Sequence, residues 1–177
     1  KNSIAVGGGQ NTVNSGIGND SVTAGDGGDQ IYSSGGNNSV ISGAGADVIR
    51  LDGNGNNYVN AGGGNDAITT SGGNDTIIDG GGNDAVYAGD GNNIVNVGDG
   101  NDTILSGSGN DYIHAGAGNN RINAGNGDNK ILVGDGNNSI LTGTGQDVIV
   151  AGAGNNTIGG GAGDDFISVG PGANQID

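Results

Sequence analysis

Aspartate and asparagine recur at one position of a short repeat, and both have the chemistry of ligands for a hard metal ion. The repeat is clearest from Gly98 to Ser106, which reads Gly-Asp-Gly-Asn-Asp-Thr-Ile-Leu-Ser. We number its positions one to nine as Gly, any residue, Gly, Asn, Asp or Asn, any residue, Ile or Val, any residue, and a small residue. Carboxylates repeated at position five would offer calcium the oxygen ligands that it prefers.

If two copies make one coil, the position-five residues of alternate copies stack on the same edge and form two columns. The first, which we call the acidic column, runs Asn11, Asp29, Asp47, Asp66, Asp84, Asp102, Asn120, Asn138, Asn156, Asn174. The second, which we call the mixed column, runs Asn2, Asp20, Asn38, Asn57, Asp75, Asn93, Asp111, Asn129, Asp147, Asp165. Successive aspartates therefore dominate one column, whereas the other has a single adjacent pair.

An unbroken stack of aspartates needs cations between its members. Stacked strands lie about 4.8 Å apart, and two carboxylates at that distance repel by about 3 kcal/mol at an effective dielectric constant near ~20. Calcium accepts carboxylate and backbone carbonyl oxygens together, whereas zinc and copper favour other ligands. We expect four ions in the acidic column and one in the mixed column, so the predicted metal ligands are Asp29, Asp47, Asp66, Asp84, Asp102, Asp147 and Asp165.

A second interpretation of the same residues needs no metal. Asp and Asn both suit turns and form hydrogen bonds with nearby backbone, so either could form a ladder from coil to coil. We expect such a ladder in the amide run from Asn120 to Asn174.

Composition argues against several other functions. The chain has 19 acidic and four basic residues, a net charge of -15, and no cysteine. Nucleic acids and anionic membranes are poor partners for that charge, and neither disulfides nor thiolate metal sites are available. With no Glu and with His114 as the only histidine, we expect no enzyme. No apolar run is long enough for a transmembrane helix.

The repeat also predicts the fold, because it continues from end to end. Copies begin at Gly7 and, after one inserted residue near Asp52, continue from Gly53 to a last complete copy at Gly161. Each reads as a glycine turn followed by a strand whose positions five, seven and nine face inward. The sequence predicts one all-β domain over residues 1–177, a parallel β-solenoid of about ten 18-residue coils with two facing parallel sheets. Both termini fall within a copy, so we expect a fragment or a repeating unit of a larger assembly.

The stretch from Gly107 to Ile113, Gly-Ser-Gly-Asn-Asp-Tyr-Ile, resembles the calcium-binding nonapeptide of the repeats-in-toxin (RTX) family. The resemblance covers essentially the whole chain. It implies a right-handed parallel β-roll, calcium ions held in the turns, export by type I secretion and folding outside the cell. Two features depart from the family pattern: its first glycine is mostly Ala, Ser, Val or Thr here, and its aspartate is asparagine in half the copies.

These observations favour a calcium-binding structural module of a secreted or cell-surface protein, such as an adhesin, a surface layer, an extracellular filament, or the tail of a toxin or enzyme. End-to-end self-association is a further expectation for such a roll. Two alternatives stay open, an ice-binding solenoid and a metal-free solenoid with asparagine ladders. Ice binding would favour a regular array of threonines, and the outward position six carries mixed residues such as Thr76, Ile94 and Tyr112.

The column assignment predicts different effects for two alanine substitutions. Asp66→Ala should weaken calcium binding strongly, because Asp66 would share two ions with its neighbours. Asn138→Ala, which lies in the amide run, should leave the number of bound ions unchanged. Isothermal titration calorimetry with calcium measures both quantities, and an equal loss of bound ions in the two variants would contradict the assignment.

Overall fold

Each nine-residue copy forms one turn and one short strand, and the strands alternate between two parallel sheets. The computed structural model describes every residue from Lys1 to Asp177. In the first ten-stranded sheet the strands are β1 Ser3–Ala5, β3 Ser21–Thr23, β5 Ser39–Ile41, β7 Tyr58–Gly62, β9 Thr76–Asp79, β11 Ile94–Val97, β13 Tyr112–Ala115, β15 Lys130–Val133, β17 Val148–Ala151 and β19 Phe166–Val169. In the second they are β2 Thr12–Ile17, β4 Gln30–Gly35, β6 Val48–Leu51, β8 Ala67–Thr70, β10 Ala85–Tyr87, β12 Thr103–Leu105, β14 Arg121–Gly125, β16 Ser139–Thr142, β18 Thr157–Gly159 and β20 Gln175–Ile176. None of the chain forms a helix suited to crossing a membrane.

The pairing of strands confirms the predicted coil of two copies. Every strand pairs in parallel with strands two places away in the chain, so that Val95 lies beside Ile113 and Ile77. Partners are 18 residues apart except across the inserted residue near Asp52, where they are 19 apart, as in the pairing of Ser39 with Tyr58, and at local register shifts such as the pairing of Gly62 with Asp79. The insertion therefore lengthens one coil without disturbing the stacking of the strands.

The interior confirms the predicted alternation of inward and outward residues. From Val13 to Ile158, every position-seven Ile or Val is buried, and the position-nine residues, mostly Ala, Ser, Val and Thr, lie beside them. At the first and last coils, Ile4 and Ile167 are only partly buried, since each has a neighbouring coil on one side only. The core is therefore a narrow apolar stripe that each coil continues from the one before it.

Position three must be glycine because of the coil stacked against it. Except for Gly55 and Gly100, these glycines have left-handed backbone angles, for example φ of +127° at Gly91, which residues with a Cβ rarely adopt. A Cβ on Gly91 would also overlap the carbonyl group of Gly73 in the preceding coil. The same overlap would occur at Gly82 with the carbonyl of Gly64. The position-three carbonyl thus points along the stack towards the next coil.

This packing predicts that Gly91→Ala destabilises the roll by roughly 2 to 4 kcal/mol, since a strained backbone angle and an overlap arise together. Gly63→Ala is the matched control, because its Cβ would meet nothing closer than a carbonyl oxygen at 3.8 Å. Thermal unfolding followed by circular dichroism compares the two variants, and similar melting temperatures would contradict this account of position three.

Candidate metal centre

One hydrogen bond repeats along both columns and uses Oδ1 of every position-five side chain after the first of each column, Asn2 and Asn11. The backbone N–H of Asp29 donates to Oδ1 of Asp47 over 2.7 Å, and the N–H of Asp66 donates to Oδ1 of Asp84 over 2.9 Å. In the amide run, the N–H of Asn138 donates in the same way to Asn156 over 3.1 Å. The predicted ladder from Asn120 to Asn174 is present, and the aspartates take part in the same ladder.

The second polar atom of the side chain distinguishes asparagine from aspartate. Nδ2 of Asn93 donates to the carbonyls of Gly89 and Gly91, positions one and three of its own turn, each over 3.0 Å. Nδ2 of Asn138 makes the equivalent pair of bonds, each of 3.2 Å. An asparagine turn is therefore closed by its own amide group.

An aspartate turn contains acceptors where the asparagine turn has a donor. Ionised carboxylates only accept hydrogen bonds, and the carbonyls of Gly64 and Gly82 receive no donor from the protein. Buried Oδ2 atoms without any hydrogen-bond partner belong to Asp20, Asp29, Asp47, Asp66, Asp75, Asp79, Asp84, Asp102, Asp111 and Asp147. Carboxylate and carbonyl oxygens that lack donors form the ligand set of a calcium site, so the residues of these turns fit that ion.

The protein itself supplies almost no positive charge to these carboxylates. Its two ion pairs join the amino group of Lys1 to Asp20 over 3.9 Å and Arg50 to Asp52 over 2.9 Å. Neither involves an aspartate of the acidic column. Burial, opposed by the backbone hydrogen bond from Asp84, raises the pKa of Asp102 to about 6, and burial also raises the pKa of Asp66 and Asp84.

The structure brings the predicted ligands of each column into adjacent coils. The buried ones are Asp29, Asp47, Asp66, Asp84, Asp102 and Asp147. Asp165, the seventh, is partly exposed near the last coil, and its Oδ1 accepts the N–H of Asp147 over 2.9 Å. Calcium binding by these seven residues stays a prediction.

Sequence reasoning missed three aspartates of the mixed column, Asp20, Asp75 and Asp111. Each has an asparagine before and after it in the mixed column. Repulsion between adjacent carboxylates therefore does not predict a cation at these three residues. Their buried Oδ2 atoms nevertheless lack partners, just as those of the acidic column do. An aspartate at position five, whatever residues precede and follow it in its column, would have been the signal for an unpartnered carboxylate.

The sequence analysis also missed Asp79, which lies at position nine, where the other copies place small or apolar residues. Its side chain is buried, and carboxylate oxygens of Asp66, Asp79 and Asp84 lie within 4.8 Å of one another. Burial, together with the charges of Asp84 and Asp66, raises the pKa of Asp79 to about 8. The signal available in the sequence was its position as the one charged residue among the inward position-nine residues.

Comparison with protein families agrees with this geometry. The model of the RTX calcium-binding nonapeptide repeat matches residues 2–22, 23–53, 32–68, 51–77, 69–104, 105–140 and 141–176. The chain belongs to this family. No curated protein and no solved structure matches the RTX chain. The fold and the family together identify a calcium-binding structural repeat, and they support calcium as the ion for the acceptor-only turns of this RTX roll.

The raised pKa values predict that the calcium-free RTX roll loses stability as the pH rises. Aspartates in the unfolded chain titrate near about 3.9, whereas the folded-state pKa is about 6 for Asp102 and about 8 for Asp79. Between those limits the folded chain binds more protons than the unfolded chain, so its stability falls from about pH 4 to about pH 8. Melting curves of calcium-free protein at several pH values test this.

Saturating calcium is the control for that experiment. Calcium and protons compete for the same carboxylates, so the melting temperature should then rise with pH over the same range. A calcium-free melting temperature that increases with pH would contradict the assignment of raised pKa values.

Proposed function

We propose that this chain is a calcium-loaded structural module of a secreted or cell-surface protein, and that it completes its folding when it meets calcium outside the cell. Its membership of the RTX family and its β-solenoid fold support the structural and calcium-binding parts of this function. The extracellular part is our extension of the likeness to the family. Calcium modules of extracellular proteins work with dissociation constants of about 10⁻⁴ to 10⁻³ M, so an ion-dependent roll would stay incompletely folded at cytosolic calcium levels.

The observation that carries the proposal is the contrast between the two kinds of turn. Asn138 closes its turn with an amide group that donates to Gly134 and Gly136. At the same position Asp84 places a buried oxygen without a partner. A buried polar atom without a partner costs free energy, and a buried charge costs more. A bound cation removes both costs for the aspartate turns.

The residues of the chain have separate roles in this function. The ladder through Oδ1 holds each carboxylate in register with the preceding coil and leaves Oδ2 as the atom available to the ion. Glycine at position three lets the backbone carbonyl point along the stack. Calcium, when bound, neutralises carboxylates of adjacent coils and links them through its oxygen ligands. The ions would therefore stabilise the stacking of adjacent coils.

The stacked coils form a short rod. Ten strands per sheet, stacked at about 4.8 Å each, give a length of roughly 50 Å. Such a rod suits a spacer or stalk in an adhesin, a surface layer or an extracellular filament, or the tail of a secreted toxin or enzyme. End-to-end self-association stays a prediction.

Removal of calcium tests the proposed function. A chelator should convert the far-UV circular dichroism spectrum from β-rich to largely disordered near neutral pH, because uncompensated carboxylates then prevent the acidic coils from stacking. Added calcium should restore the spectrum and raise the melting temperature in proportion to the logarithm of its concentration. A spectrum and melting temperature that excess chelator leaves unchanged would contradict the proposal.

The chain also offers a matched control for that experiment. Replacement of Asp29, Asp47, Asp66, Asp84 and Asp102 by asparagine converts the acidic turns to the self-closing type seen at Asn138. That variant should keep more β structure in chelator than the native chain and bind fewer calcium ions.

A further inference from the structure

We infer that Asp79 is a third carboxylate ligand of the calcium site between Asp66 and Asp84, and that it makes this site the tightest of the acidic column. The inference rests on the proposed function and deepens it, because it makes one interval of the acidic column different from the others. Position nine corresponds to the first glycine of the family pattern, so a ligand there is an addition to the repeat.

The path of the chain carries Asp79 to the edge where the acidic column lies. Asp79 is the last residue of β9, in the first sheet, and its inward side chain is followed by the turn that leads to Asp84 and β10. Its Oδ1 accepts the N–H of Gly80 over 2.9 Å. That bond fixes one oxygen of the carboxylate and leaves the other for a ligand.

Three carboxylates converge at this place with one unused oxygen each. Asp66, Asp79 and Asp84 are 2%, 5% and 3% exposed, and the Oδ2 atom of each has no hydrogen-bond partner. No lysine, arginine or histidine forms an ion pair with any of them. In their ionised form these three buried carboxylates repel one another and have no counter-charge, and a bound cation would remove that repulsion.

The spacing of the oxygens fits calcium. One carboxylate oxygen of each residue lies within 4.8 Å of those of the other two. Calcium binds oxygen at about 2.3 to 2.6 Å, so two ligands of one ion are at most about 5 Å apart. A single ion can therefore contact all three carboxylates.

The other intervals of the acidic column have no carboxylate at the inward position nine. The residues equivalent to Asp79 in neighbouring coils are Ser42, Ala61 and Val97, all buried. A third carboxylate strengthens the attraction of the site for a divalent ion. One ion should therefore bind more tightly than those held by the column alone.

The test is a calorimetric calcium titration of the full chain and of Asp79→Asn, which keeps the shape of the side chain and removes its charge. The native chain should bind one ion at least about tenfold more tightly than the rest. In Asp79→Asn this ion should fall to about the affinity of the others, and the binding of the others should be unchanged. Asp79→Ala, which places at this site the residue that Ala61 provides one coil earlier, should do the same.

Ser42→Ala is the matched control. Ser42 is buried at the same position two coils away, where its hydroxyl donates to the carbonyl of Ala61 over 2.9 Å. This variant should keep the tight ion, because it removes a polar group of the core without removing a ligand.

The outcomes separate this inference from the proposed function. A native titration with one class of equivalent ions, or Asp79→Asn and native curves that coincide, would overturn the role of Asp79 and leave calcium binding intact. Equal weakening of all ions in Asp79→Asn and Ser42→Ala would also overturn it, since that pattern indicates damage to the core. Absence of calcium binding by the native chain would overturn both.

Discussion

The hydrogen bond from the position-five N–H of one coil to Oδ1 of the next is the interaction on which the rest of this structure depends. It ties consecutive turns together at the edge of both sheets, and it accepts Asp and Asn equally, as the bonds at Asp47 and Asn156 show. Because Oδ1 is committed to the neighbouring coil, the remaining atom of each side chain must face its own turn. If that atom is an amide nitrogen, it donates to the glycine carbonyls of the turn. If it is a carboxylate oxygen, the turn has only acceptors and needs a cation or a proton.

That choice divides the roll along its length. The acidic column carries successive carboxylates from Asp29 to Asp102 and then only amides from Asn120 onward. The amide turns satisfy their glycine carbonyls internally, as at Asn120 with Gly116. Neighbouring coils stabilise one another in a solenoid, so the amide half offers a surface on which the acidic half can stack as its ions bind. Under the proposed function, the calcium dependence that comes from the acidic column is accordingly concentrated in the first half of the roll, whereas the mixed column extends it to Asp147 and Asp165.

Burial is what makes the aspartates chemically significant. On an exposed turn, carboxylates would be solvated and screened, and a ladder would suffice to explain them. Here the side chain of Asp29 is fully buried and that of Asp66 nearly so, so water does not compensate their second oxygen atoms. The core is narrow, and the position-three glycines of adjacent coils approach each other closely. The Oδ2 atoms of these aspartates therefore have only other acceptors of the protein near them. The same burial supports calcium over a purely hydrogen-bonded interpretation of the acidic turns.

The sequence by itself determined the two sheets, the 18-residue coil and the two columns, because a strict nine-residue period with alternating Ile or Val allows one register. A shift by one residue would turn the apolar stripe outward. It also identified the ladder and the buried acidic column. Only the tertiary structure decided that isolated aspartates such as Asp75 have unpartnered oxygens, and that Asp79 approaches Asp66 and Asp84. These features depend on atomic positions across coils, where residues of different repeat positions meet, and a pattern within one repeat does not contain them.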